Sequence, residues 1–545
     1  MILRYNSPTM TKVVIIGLDG TTWKLLDPLL QQGRLPNLQK IINGGSRATL
    51  VSTKPPVTVP AWTTFATGVN PGKHGCYDFF LPGKTIRDFR PATSQEIKVP
   101  TLYELLHAAG KKSILINLPN SYPPRLPDMT LITDFMTIGE DYVFPASLAT
   151  KYPALQNYRL SPDESIKLNS DMDTYIRHIL QIERDRLAAV RALFVGETWD
   201  LFFFLFSSTD WVSHLVFYDM ITKAHPEALK VFDVVDEFFG WLLEQLTPDT
   251  TLYIMSDHGF TYYTELFYIN RWLEQQGYLV TTTGSGSFEE AATARRRNLA
   301  KARSQGRLRI SVSKKWLNLL FANPTIERIS KWLYHHIVKP LFPVSVAVNV
   351  GIDLDKTQVC FPRGSMLQTL YLNYAGNFSK GLITTAAEYD RIRADVKTKL
   401  EALRTPSGKR VTEHVYTKEE LYGTNPPTPS PDLHCQTKDV WIVGHLHSKA
   451  TFEDHISNKH DEYGILITYG ADMAKHQTVA DATIADITPT VLHQFGLDIP
   501  DYSDGRVLQN LFAPESEPAQ RQPRLVSVQR SEKVELTQLL DDIAV

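Results

Sequence analysis

The chain has 545 residues, several times the usual domain size, so a single small module is excluded. Hydrophobic residues make up 43% and charged residues 21%, which fits a globular protein and not a disordered one. The 57 basic and 59 acidic residues leave a net charge of −2, excluding a chain-wide basic field for nucleic acid. Three cysteines (Cys76, Cys360, Cys435) cannot build a disulfide framework or a zinc ribbon, so a metal site would fall to aspartates and to the 16 histidines.

Met1–Met10 reads as too polar and short for a signal peptide. No uninterrupted apolar run reaches the roughly 18–20 residues of a membrane span. The expectation is a soluble protein of a reducing compartment, hence cytoplasmic. The first ordered element is Val13–Gly17, a β-branched apolar run that predicts a buried parallel strand. Helices are expected near Thr22–Gln31 and over Thr101–Ala109, the latter with Thr101 as N-cap, followed by a strand at Ser113–Leu118. Asp173–Val195 carries apolar residues at helical spacing and leads into a second buried strand, Leu201–Phe206. Another helix is expected over Pro226–Leu246, strands at Thr251–Met255 and Gly464–Tyr469, and a closing helix at Ile484–Phe495. This alternation predicts a doubly wound α/β sheet.

Residues 270–350 differ from the rest and read as an insertion. Nine Lys or Arg residues fall between Arg295 and Lys315, accompanied by Trp316, Trp332 and Tyr334. Such a run serves as a solvated surface, as an electrostatic cap over a polyanionic substrate, or as a contact with an anionic membrane, which would make the protein peripheral. No specific nucleic-acid motif accompanies it. Beyond Pro514 the composition reads as a linker, with a short helix near Val534–Ile543. The expected organisation is a catalytic core over 11–269, a basic insertion over 270–350, a second core part over 351–514, and a tail over 515–545.

Three apolar strands each lead into an acid: Asp19, Asp210 and Asp257. Ligands of open α/β sheets bind beyond the carboxyl ends of strands, so these acids converge on one crevice. Taken singly, a strand-end Asp is usually a helix N-cap; three together, two of them near a histidine, favour a site. His214 follows Asp210 by four residues, and His258 adjoins Asp257 in Ser256-Asp257-His258-Gly259, where Gly259 permits a sharp bend. A mixture of His and Asp suits zinc or a similar transition ion; the alternative is a set of buried polar contacts. Thr58, two residues before Pro60, stands just ahead of an expected helix running to Gly68, whose free N–H groups would favour a phosphoryl group. Metal coordination would make that hydroxyl a nucleophile; the alternative is a β-branched strand residue between two valines.

Gly17-Leu18-Asp19-Gly20, Thr58-x-Pro60, Asp210-x3-His214, Asp257-His258-Gly259 and a late histidine together resemble the alkaline phosphatase superfamily. Order and spacing are nearest its type I phosphodiesterase/nucleotide pyrophosphatase branch. Within that branch Pro60-Ala61-Trp62, Asn70-Pro71-Gly72-Lys73-His74-Gly75 and Thr209–His214 are similar to predicted cytosolic phosphohydrolases or phosphomutases. The resemblance covers roughly Lys12 to Phe512. It implies an alkaline-phosphatase-like three-layer α/β sandwich with a mostly parallel central sheet and an inserted subdomain.

It also implies two divalent metal ions per chain, Zn2+ or alternatively Mn2+. One would be held by Asp210, His214 and a late histidine, the other by Asp19, Asp257 and His258. Thr58 would lie between them and form a phospho-threonine intermediate on a phosphate-ester substrate, most simply a phosphodiester. The late histidine is assigned to His460, because the family places this ligand just before a strand such as Gly464–Tyr469. His455 is the second choice, ahead of His445, His447 and His476. Many nucleotide pyrophosphatases carry a phosphate-holding Asn where this chain has Ala61 or Trp62. Sulfatases need Cys or Ser at the position of Thr58, and Arg at that of Trp62. Lys73 and His74 read either as a structural turn or as phosphate contacts. A phosphomutase or phosphotransferase using the same site, and a silent membrane- or partner-binding protein, are the competing functions.

Overall fold

The computed structural model describes residues 11–283, 350–362, 368–424, 426–427, 429–446 and 450–527. Its strands are β1 (Lys12–Leu18), β2 (Ser46–Val51), β3 (Ser113–Ile116), β4 (Thr130–Ile132), β5 (Val143–Phe144), β6 (Leu201–Phe206), β7 (Thr250–Met255), β8 (Gly259–Tyr268), β9 (Val440–Val443), β10 (Phe452–Asp461), β11 (Tyr463–Tyr469) and β12 (Thr478–Thr483), with shorter pairs named by residue below. Nine of them form one sheet in the order β12-β2-β11-β7-β1-β6-β3-β4-β5. The centre is parallel: β1 lies between β6 and β7, with Gly17 opposite both Leu205 and Met255. Antiparallel β11 joins β7 to β2.

The strands are apolar throughout because both sheet faces are covered. Val14, Ile16, Phe202, Phe204 and Phe206 pack under the helices Trp23–Gln31, Met172–Gly196 and Pro226–Gln245. Val13, Ile15, Leu201, Phe203 and Leu205 pack under Thr58–Thr67, Leu102–Ala108 and Ile487–Gln494. Each buried phenylalanine is worth about 2 kcal/mol of transfer free energy, so the all-apolar LFFFLF run of β6 demands cover on both sides. The result is a three-layer α/β sandwich.

Helix boundaries follow the capping chemistry. Thr22 caps Trp23–Gln31 through the Lys24 N–H, and Thr101 and Glu104 form a capping box at Leu102–Ala108. The Thr58–Thr67 helix ends on Gly68 at φ 69°, a left-handed stop.

A second apolar cluster changes the expected organisation. Ile269, Trp272 and Leu273 pack with Val359, Leu370, Ile392, Val415, Leu433 and Ile442, around a four-stranded sheet built from Val359–Cys360, Thr369–Leu372, His414–Thr417 and Leu433–Gln436. The expected return to the core at residue 351 therefore falls inside this second module, and the chain rejoins the central sheet only at β11. The basic run 295–315 lies outside the described residues, as does the expected helix at 534–543. The tail does not begin as a linker: Glu517–Gln520 is a helical turn with Pro518 buried, and Leu525–Val526 pairs with Ile499–Pro500. Among the described residues no helix is long and apolar enough to cross a membrane.

Candidate active site

Strand register brings the acids together. Because β1, β6 and β7 end level with one another, the turns that follow them share one edge of the sheet. Asp19 leaves β1, Asp210 sits in the first turn of the helix Ser208–Lys223 after β6, and Asp257 follows β7. All three are buried, at 2%, 9% and 1% exposure. None is an N-cap: Thr22 caps the helix after β1, Asp210 lies inside its helix, and Asp257 accepts the Gly20 N–H at 3.2 Å. Gly20 has φ 64°, and a Cβ there would sit 3.0 Å from Asp210 Oδ1, so this position takes glycine on both counts.

Asp210 and His214 face the same side of their helix, Oδ1 to Nε2 3.5 Å. His460 stands at the end of β10, paired with Phe260 of β8, and completes a tight triangle. Its Nε2 is 2.9 Å from His214 Nε2 and 3.3 Å from Asp210 Oδ1. His258 Nε2 lies 3.2 Å from Asp257 Oδ2, 3.7 Å from Asp19 Oδ1 and 3.4 Å from Thr58 Oγ1. All seven residues singled out in the sequence thus meet in one place. Two groupings, Asp210–His258–His460 and Asp19–Asp257–His258, have the compactness of metal sites and share His258. His455 and His476 are exposed, and so is His445, while His447 is outside the described residues.

Each inner imidazole is held by its other nitrogen. His460 Nδ1 donates to the Pro56 carbonyl at 3.0 Å, and His258 Nδ1 donates to the Gly259 carbonyl at 3.0 Å. Both Nε2 lone pairs are therefore directed at the carboxylates, as a ligating histidine requires. Burial pushes the His214 and His460 imidazoles down to about 3 and holds His258 well below its usual value, so these rings are neutral donors. Burial pushes the Asp257 carboxyl up to about 8, with Asp210 adding to the shift. Asp19 is raised well above the usual range, first by burial and then by the charges of Asp257 and Asp210. Asp19 Oδ1, Asp210 Oδ1 and Asp257 Oδ2 are buried without a hydrogen-bond partner. Three unpaired carboxylate oxygens facing neutral imidazoles form a donor set that fits divalent cations and stays costly without them.

Thr58 is the first residue of its helix rather than the residue ahead of it, and no side chain caps that helix. Its first-turn N–H groups and the helix dipole lie beside the hydroxyl, a setting that suits a phosphoryl anion. The preceding turn, Pro55-Pro56-Val57, also supplies the carbonyl that orients His460.

Other sequence readings are resolved by burial. Ala61 and Trp62 are fully buried, and Trp62 meets Phe65 and Phe203 edge-on at 5.6 and 5.5 Å, so both are packed in the core. His74 is enclosed, with Nδ1 accepting from the Cys76 N–H at 3.1 Å and Nε2 donating to Thr64 at 2.9 Å, while Lys73 pairs with Asp504. That turn is structural. Gly259 is not at positive φ; a Cβ there would lie 2.1 Å from the Tyr463 carbonyl, so it is required by close strand approach and not by a bend. Two supports escaped the sequence reading. Thr209 Oγ1 donates to the Asp19 carbonyl at 2.7 Å, and Ser256 Oγ donates to the Thr21 carbonyl at 2.8 Å, tying the three strand-end turns together. Their only signal was adjacency to Asp210 and Asp257.

Beside the site lies a cleft of about 770 Å³ between the core and the second module, with His460 and Pro56 on its wall.

Residues 13–322, more than half of the chain, match the type I phosphodiesterase/nucleotide pyrophosphatase family. No curated protein matches the sequence. Among solved structures, murine ectonucleotide pyrophosphatase/phosphodiesterase 5, an inactive variant in complex with AMP, is 14% identical with a TM-score of 0.50, covering 92% of this chain and 100% of that one. Phosphonoacetate hydrolase from Sinorhizobium meliloti 1021, in complex with phosphonoformate, is 13% identical with a TM-score of 0.52, covering 91% of this chain and 98% of that one. These likenesses establish a shared fold.

Proposed function

Because the chain belongs to the type I phosphodiesterase/nucleotide pyrophosphatase family and is a hydrolase of that family, we propose that it is a two-metal phosphodiesterase acting through a phospho-threonine intermediate. The observation that carries this reading is the convergence of Asp19, Thr58, Asp210, His214, Asp257, His258 and His460 on one buried pocket of unpaired donors.

Asp210, His214 and His460 would hold one divalent ion, and Asp19, Asp257 and His258 the other. When bound, the ions supply charge neutralisation for the phosphoryl oxygens and acidify the nucleophile. Thr58 Oγ attacks phosphorus, the bond to the departing ester oxygen breaks, and the hydroxyl proton ends on the released alcohol. The uncapped N-terminus of the Thr58–Thr67 helix favours the negative phosphoryl group next to Thr58. Water then cleaves the Thr58–phosphate bond, returning the hydroxyl and releasing the phosphomonoester. The neutral state of the three imidazoles keeps their Nε2 atoms as donors through both steps. Zn2+ fits the His/Asp set best, with Mn2+ as the alternative. A cytoplasmic setting suits three free, buried cysteines.

The test is hydrolysis of an aryl phosphodiester by purified protein supplied with Zn2+, Mn2+ or Mg2+ in turn. Metal-dependent release of the aryl alcohol, faster than from the matching monoester, is the expected result. Loaded protein that leaves every diester intact would overturn the reading.

A further inference from the structure

The cleft beside His460 has a composition of its own, and it bears on the group esterified to phosphorus. At about 770 Å³ it has the volume for a small organic molecule, and Pro56 and Val57, the residues leading into Thr58, form part of its wall. Among the aromatic rings that line it, Trp441 and Tyr262 are each packed against a neighbouring ring. Trp441 packs against Tyr263, ring centroids 5.3 Å apart and planes tilted by 48°, with the ammonium of Lys459 5.5 Å from its ring centre. Tyr262 is set edge-on against Tyr218 at 4.8 Å. Two amides on the wall are also anchored: Gln368 accepts from Thr437 at 2.8 Å, and Gln436 accepts from Tyr416 at 3.1 Å. Gln436 also donates to Glu462 at 3.3 Å, so the wall offers hydroxyl groups the remaining amide N–H donors and the second lone pair of each amide oxygen.

The charges on the wall are balanced. Four lysines and four carboxylates line the cleft among the described residues. Two of these lysines are committed to acids of the same wall, Lys24 to Asp461 and Lys54 to Glu462. A second phosphate or a polyphosphate would meet no net positive charge among these eight groups. Flat aromatic surfaces flanked by oriented amides, without net charge, suit an uncharged ring bearing several hydroxyls.

We infer that this cleft is a subsite for the organic group retained on phosphorus, and that the group is a neutral, hydroxyl-rich moiety of the glycosyl or polyol class. The inference rests on the diesterase reading above. Holding the aromatic rings and amides in place beforehand limits the ordering cost of binding.

The experiment uses metal-loaded full-length protein and nitrophenyl phosphodiesters that differ only in the retained group: methyl, glucosyl or adenosyl. In parallel, binding of methyl phosphate and glucose phosphate is measured by calorimetry, which reads the subsite even without turnover. The glucosyl ester is expected to exceed the methyl ester at least ten-fold in kcat/KM, with a matching advantage in Kd for the sugar phosphate. Trp441→Ala should cost the glucosyl ester at least ten-fold more than it costs the methyl ester, and Trp441→Phe should recover part of the difference. Equal kcat/KM and Kd for methyl and glucosyl ligands, preference for the adenosyl ester, or equal losses in Trp441→Ala would overturn the inference. Absence of turnover alongside a retained preference in Kd would instead count against the diesterase reading and leave the subsite standing.

Discussion

His258 and His460 stack face to face, ring centroids 3.7 Å apart and planes within 20°, although one follows β7 and the other ends β10. The contact brings the two proposed ligand groups into one unit, since His460 also touches Asp210 while His258 touches Asp19 and Asp257. His460→Ala is expected to remove one ligand from the Asp210–His214 ion and the stacking partner of His258. Metal analysis should fall from about two ions per chain to about one, with activity lost and the Asp19–Asp257 ion retained more weakly. Two ions at unchanged affinity in the variant would show that His460 is not a ligand.

Thr58→Ala deletes the hydroxyl 3.4 Å from His258 Nε2 and leaves the helix start intact. Activity should drop by ~10³-fold or more, as for loss of a covalent nucleophile. Metal content and thermal stability should stay near those of the parent chain. Thr58→Ser should keep measurable turnover, and acid quenching of the parent enzyme with a slow diester should trap the phosphoryl group, with its retained ester, on residue 58.

Trp62 is the largest fully buried side chain among the described residues, wedged against Phe65, Phe203 and the Cα of Gly17, where even a methyl group would lie 2.7 Å from the indole. Trp62→Ala should cost about 3–5 kcal/mol in chemical denaturation. Trp62→Phe should cost distinctly less, because most of the volume stays. A near-neutral Trp62→Ala would mean that the position is not core.

Much of this arrangement was readable because its signals are local. LFFFLF and VVIIG are strands whatever surrounds them, and the acid after each is one or a few residues away. His214 and His258 came with their aspartates for the same reason. His460 needed more, because β10 reads FEDHISNKHD, a polar sequence that predicts a turn and becomes a strand by pairing with β8. The boundary of the second module was not legible, since its core joins Ile269 and Trp272 to residues about a hundred or more positions later. The roles of Thr209 and Ser256 depend on carbonyls of the Asp19–Thr21 turn, some 190 and 235 residues away, which no sequence period encodes.

His74 gives a pH dependence independent of the ligand set. Its ring is fully buried, and burial lowers its pKa to about 3, so the folded state keeps it neutral while the unfolded chain protonates near 6.5. The folded pKa is depressed, so the unfolded state binds the extra proton between these limits. The contribution to stability is complete above pH 6.5 and is lost as pH falls toward 3, by about 1.4 kcal/mol per pH unit for one proton. The geometry gives the same sign: a protonated Nδ1 could no longer accept from the Cys76 N–H. Buried His434, also lowered to about 3, adds a second proton of the same sense. Chemical denaturation from pH 7 to pH 4.5 should therefore show falling stability, with a slope reduced by about one proton in His74→Gln. Parallel slopes in the parent chain and the variant would mean that His74 titrates alike in the folded and unfolded states.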